Sequence, residues 1–148
     1  MSAPHKTRTP CAFSLVELLI VIAVIAIMAS LVISAFSNAA ADSRNVLAGQ
    51  QQAVLQEAVN SWIAHASSAP NSLKEARDEF AGAGTSTARL EKVKDYLDDR
   101  TYTHFRDSSA SGDGSKILSD ALIKTDQYLE ITDWPADSYP KVYKRSAQ

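Results

Sequence analysis

The sequence predicts an α+β chain: one long N-terminal helix, then a small C-terminal domain of short helices and a few strands. Three observations predict it. Residues 13–36, FSLVELLIVIAVIAIMASLVISAF, form an apolar run interrupted by one charge, Glu17. Residues 37–66 contain no proline and place Leu47, Val54, Leu55, Ala58, Val59, Trp62 and Ile63 at helical spacings. Beyond Ala66, capping and turn residues cut the chain into short segments.

The apolar run is long enough to cross a bilayer. As a helix, Phe13–Phe36 spans about 36 Å, against about 30 Å of hydrocarbon. Its twelve Leu, Ile, Val and Phe residues from Leu18 onward contribute about 5 kcal/mol to insertion. Glu17 lies near one end, where a charge costs less than at mid-membrane. Lys6 and Arg8 in the polar leader favour keeping that end on the cytoplasmic side. A secretory signal has a shorter apolar core, and a lipoprotein signal places its cysteine after the core. Cys11 comes before it. A plain membrane anchor leaves Glu17 without a reason, other than snorkelling to the headgroups.

The second half of the helix, residues 37–66, reads as amphipathic, with Gln52, Gln56, Glu57 and Asn60 on other faces. Gly49 costs about 1 kcal/mol relative to Ala there and suggests a bend or a close helix contact. Ser67 to Asn71 ends the helix, and Ser72-Leu73-Lys74-Glu75 reads as a capping box opening a helix to about Ala81. Gly82 and Gly84 form a loop. Ser86 or Thr87 opens a second helix to about Asp99, which makes Asp95, Asp98 and Asp99 a solvated helix end. Thr101–Phe105 reads as a short strand or an extended connection, and Ser108–Ser115 as a turn-rich loop. Residues 116–124 carry weak helix periodicity. Tyr128–Ile131 and Pro140–Tyr143 are candidate strands joined through Trp134-Pro135. Trp134, Tyr139 and Tyr143 are expected in the domain core.

Composition excludes several function classes. With 15 basic against 17 acidic residues, nothing marks a nucleic-acid surface. His5, His65 and His104 lack metal-ligand spacing, and Cys11 is the one cysteine. Neither a phosphate loop nor G-x-S-x-G occurs, so no catalytic residue and no enzymatic activity are expected.

Residues Ala12-Phe13-Ser14-Leu15-Val16-Glu17-Leu18-Leu19-Ile20 resemble the processing motif of type IV pilins and type II secretion pseudopilins. The resemblance implies a pilin-like fold and a prepilin peptidase that cuts between Ala12 and Phe13 and methylates Phe13. It divides the chain into a leader (1–12), a transmembrane half-helix (13–36), an amphipathic half-helix (37–66) and a globular domain (67–148). It also implies assembly at an inner-membrane platform into a homo-oligomeric or mixed filament, with the domain in the periplasm. Glu17 would then meet the new amine of a neighbouring subunit. Such a pair offsets its desolvation only with good geometry, so it acts chiefly on register.

Two departures stand out: Ala12 replaces the more usual Gly, and Ser34 stands where many members carry a kinking proline. A continuous helix is therefore expected. Many type IV pilins close a C-terminal disulfide that major pseudopilins commonly lack, which points towards a pseudopilin. A surface pilin, and a tethered binding domain that never polymerises, are the alternatives. The resemblance also raises calcium at the C-terminal loop, with Asp133 and Asp137 as candidate ligands, although the EF-hand ligand order is absent. Otherwise no cofactor is expected.

Overall fold

The computed structural model describes residues 14–68 and 72–147. The chain divides into two compact units between Ala39 and Ala40. Helix α1 occupies Leu15–Ala66, and its helical bonding runs without a break, as expected from the lack of proline. In the first unit the helix is long and apolar enough to span a membrane. Every large apolar side chain from Leu15 to Phe36 is solvent-exposed, with Leu15 at 79% and Phe36 at 77%. Exposure on all faces is unfavourable in water and suits a lipid or helix-bundle environment.

The second unit builds its core on the rest of α1. Ala48, Leu55, Ala58, Val59, Trp62, Ile63 and Ala66 are buried. The seam is rotated from the predicted one, because Leu47 and Val54 are each 45% exposed. At about 100° per residue, both lie on the flank of the seam centred near Ala48, Leu55 and Trp62. Among the described residues, a Cβ built at Gly49 would meet nothing within 4 Å, so no close contact within the chain accounts for that glycine.

Helix α2 (Leu73–Ala81) has the capping box predicted for it. The Ser72 hydroxyl accepts from the Glu75 amide, and Glu75 accepts from the Ser72 amide at 2.7 Å. Helix α3 (Ser86–Lys92) is capped by Thr85 and stops earlier than predicted, giving way to a 3-10 turn at Lys94–Tyr96. Leu97 is extended, which frees Asp98 to cap helix α4 (Asp99–Ser109). The strand or extended segment expected at Thr101–Phe105 is therefore helix. The carboxylate of Asp98 takes the Arg100 and Thr101 amides at 3.0 and 3.1 Å, and Phe105 and Ser109 turn inward at helical spacing. Capping outweighs the β-preference of threonine and the aromatics.

Those bonds, with that of the Thr101 hydroxyl foremost, hold the Asp98 carboxyl below the usual carboxylate range. A depressed folded pKa adds stability at neutral pH that is lost as pH falls through it. Asp98→Ala should lower the melting temperature at pH 7, and the difference from wild type should shrink below about pH 4. Thermal melts across that pH range check this; an undiminished difference at pH 2 contradicts it.

Helix α5 is confined to Asp120–Lys124 behind a Ser119 cap, shorter than the 116–124 segment predicted. Ile117 instead makes an isolated antiparallel bridge with Leu129. Strands β1 (Gln127–Ile131) and β2 (Val142–Ser146) form a two-stranded antiparallel sheet, with Ile131 opposite Val142 and Gln127 opposite Ser146. The second strand begins two residues later than expected. The Lys141 amide goes to the Thr132 hydroxyl at 2.9 Å instead of to the Thr132 carbonyl, so the regular ladder starts at Val142.

Three glutamines tie this unit to α1. Gln52 donates to the Val142 carbonyl at 2.8 Å, and Gln56 accepts the Val142 amide at 2.7 Å while donating to the Pro140 carbonyl at 3.2 Å. Gln51 accepts the Ser119 hydroxyl at 2.7 Å. Gln52 and Gln56, expected off the apolar face, thus satisfy the backbone at the start of β2. Inside, Phe80 packs on Trp62 and Trp134 with centroids at 5.3 and 6.1 Å.

Candidate assembly site at the start of the long helix

Ser14 and Glu17 form a reciprocal pair that caps the first turn of α1. The Ser14 amide donates to Glu17 Oε2 at 3.1 Å, and the Glu17 amide donates to Ser14 Oγ at 3.2 Å. The Ser14 carbonyl accepts the Leu18 amide at 3.3 Å, closing the first helical bond. This is the S-x-x-E arrangement that satisfies two otherwise orphaned helix amides. The same signal identified α2 in the sequence and was equally present here. The Glu17 carboxylate also stabilises the positive end of the helix dipole.

The cap constrains the Glu17 side chain without using all of it. Oε2 faces its own helix, while Oε1 has no hydrogen bond among the described residues. Both residues are exposed. A pre-positioned carboxylate with a spare oxygen, set in the first turn of a wholly apolar segment, can accept one further cationic donor. Ala12 and Phe13, the residues of the expected cut and methylation, lie outside the described residues, as does Cys11. A new amine at Phe13 would be one residue before Ser14 in the chain.

Of the two carboxylates raised as calcium ligands, Asp133 has a structural partner in Arg89. Arg89 is buried, donates to the Ile131 carbonyl at 2.9 Å and meets Asp133 Oδ1 at 3.3 Å. The same Asp133 oxygen accepts the Trp134 amide at 2.8 Å. Asp137 is exposed. No group of three or more His, Cys, Asp or Glu converges to hold a metal ion among the described residues. Asp133 is thus engaged by the Arg89 guanidinium. Of the three aromatics expected in the core, Trp134 is buried, but Tyr139 is 57% and Tyr143 42% exposed. Residues 135–139 of the connection are all exposed, and in β2 only Val142 is buried.

A small depression of about 220 Å³ between α3 and α4 includes Glu91, Tyr102 and Arg106. The Tyr102 hydroxyl, and then Lys94, hold the Glu91 carboxyl below its usual range, while Glu91 raises the Tyr102 hydroxyl. These are mutually satisfied surface groups. His65 and His104 do not approach one another: His65 is near Tyr96, with ring centroids at 6.1 Å, and His104 is on α4.

Residues 8–33 match the family model described as the prokaryotic N-terminal methylation motif. No curated protein and no solved structure matches the chain. The matched segment includes Ser14 and Glu17 and most of the apolar run. Together with the long apolar helix and the small domain of short helices and a two-stranded sheet, it identifies a pilin-like α+β chain that carries the methylation motif characteristic of type IV pilins and pseudopilins.

Proposed function

We propose that the chain is a structural subunit of a pilus-like helical filament, processed by prepilin peptidase and used in a type II secretion pseudopilus. The observation that carries the reading is the methylation motif at residues 8–33, with Glu17 set in an apolar segment, Leu15–Phe36, that buries none of its large side chains. Insertion with the leader in the cytoplasm puts the domain in the periplasm, tethered to the inner membrane by α1. Cleavage between Ala12 and Phe13 leaves the whole apolar segment on the product and creates a cationic amine, methylated on Phe13. Assembly then exchanges lipid contacts for helix contacts, and the amine of one subunit takes the free oxygen of Glu17 on another. The peptidase and an inner-membrane assembly platform are the partners. The chain is a substrate and a building block, not a catalyst.

The absence of cysteine after Cys11 favours the pseudopilus over a disulfide-closed surface pilin. Shearing cells that do or do not express prepilin peptidase tests the reading. The chain is expected in the sheared-filament fraction only when the peptidase is present. Retention in the membrane fraction with active peptidase would instead identify a tethered domain that does not polymerise.

A further inference from the structure

The second unit carries two complementary patches, one at each edge of the seam buried on α1. At one edge, α1 and α4 enclose an open groove of about 440 Å³, with Leu47, Gln51 and Val54 on one wall and Arg100 and His104 on the other. Leu47 and Val54 leave apolar surface uncovered, and Arg100 makes no ion pair among the described residues. At the other edge, beside Ile63 and Leu73, Tyr139 projects from the connection between β1 and β2. Its ring rests on Trp134 with centroids at 5.7 Å, and Asp137, two residues before it, is exposed and in no ion pair among the described residues.

This knob is held in place. Arg89 engages Asp133, and Arg77 donates to the Ala136 carbonyl at 3.4 Å, so little ordering remains for binding to supply. An aromatic ring with a polar tip suits a groove that is apolar in its floor and cationic at its rim.

We propose that Tyr139 and Asp137 of one copy dock into the Leu47–Val54 groove of a second copy, with Asp137 facing Arg100. The proposal rests on the filament reading and adds the surface that joins the domains. The patches are centred about 13 residues apart on α1, or about 20 Å along its axis and about 140° around it. A contact between two different patches is heterologous, leaves a free knob and a free groove at the ends, and so propagates. With both a rise and a rotation between its halves, it propagates as a helix of subunits.

The test uses the full chain with Cys11→Ser, which removes the one native thiol. Val54→Cys and Tyr139→Cys are placed in separate, differently tagged copies expressed together with prepilin peptidase. Oxidised sheared filaments should yield a dimer bearing both tags, the double variant should yield a ladder, and neither single variant alone should cross-link. Ser138→Cys serves as a second probe that leaves Tyr139 on Trp134. Absence of the mixed dimer in filaments that form normally overturns the groove and leaves the filament reading standing. Dimers of one variant with itself, or a bond to another protein, also overturn it. Failure of the unsubstituted chain to enter the sheared fraction removes both. In a second arm, Arg100→Asp should lower filament yield roughly fivefold and Asp137→Arg should restore it; no restoration contradicts the charge pairing.

Discussion

Glu17→Leu is expected to abolish recovery of the chain in sheared filaments while leaving membrane insertion intact or improved. Removing the carboxylate relieves an insertion cost of at most about 3 kcal/mol. On the proposed assembly, the same change would strand the neighbouring amine without a counter-charge. Breaking one side of a buried pair costs about 3–5 kcal/mol, enough to lower an association constant by more than a hundredfold.

The cap formed with Ser14 makes a second substitution necessary. Glu17→Gln keeps a side-chain acceptor for the Ser14 amide, because glutamine also serves in capping boxes, and removes only the charge. It should fail to assemble, like Glu17→Leu. Ser14→Ala loses the other half of the cap, costs about 1 kcal/mol, and should assemble nearly normally. Quantitative fractionation of the three variants separates the roles. Normal assembly of Glu17→Gln beside failure of Ser14→Ala would make Glu17 a helix cap and nothing more.

The second large effect lies in the domain core. Phe80 is fully buried, between Trp62 and Trp134 and below the Arg89 guanidinium at 5.8 Å. Phe80→Ala removes a ring that three elements share, at a cost of about 3–5 kcal/mol including the cavity. For a domain of this size that is a large part of the total stability, and the melting temperature should fall by about 15 °C or more. The two tryptophans flanking the ring report the change directly. Melts of the full chain in detergent, followed by tryptophan fluorescence, check it; a fall below about 5 °C would mean that the aromatic cluster does not anchor the core.

What was legible in the sequence was whatever depends on local periodicity and capping. The extent of α1, the capping box of α2 and the position of β1 follow from spacing and from Ser72 and Glu75. Less legible was anything decided by competition between neighbouring signals. Thr101–Phe105 is rich in residues that favour strands, but Asp98 one turn earlier supplies a helix start and Phe105 and Ser109 supply its inner face. β2 starts past Pro140 because the Thr132 hydroxyl takes the Lys141 amide, a pairing nine residues away in sequence that hydrophobicity does not weigh.

The candidate site shows the same division. The motif made Glu17 conspicuous, while Ser14, its partner three residues before it, was overlooked although S-x-x-E is a local signal. Gln52 and Gln56 were not identifiable, because their partners at Pro140 and Val142 are more than 80 residues away. Arg89 pairing with Asp133, likewise, is a product of the tertiary fold. Tyr139 carries an apolar ring yet stands outward beside Trp134, which no composition rule distinguishes from a core position.

Everything proposed for Glu17 depends on the amine that cleavage creates. The most direct measurement is therefore the mass of the mature N-terminus, taken on the chain purified from cells with active prepilin peptidase. The account predicts a single product beginning at Phe13, heavier by one methyl group on its amine. Retention of residues 1–12, or a product cut after the apolar run, would contradict it.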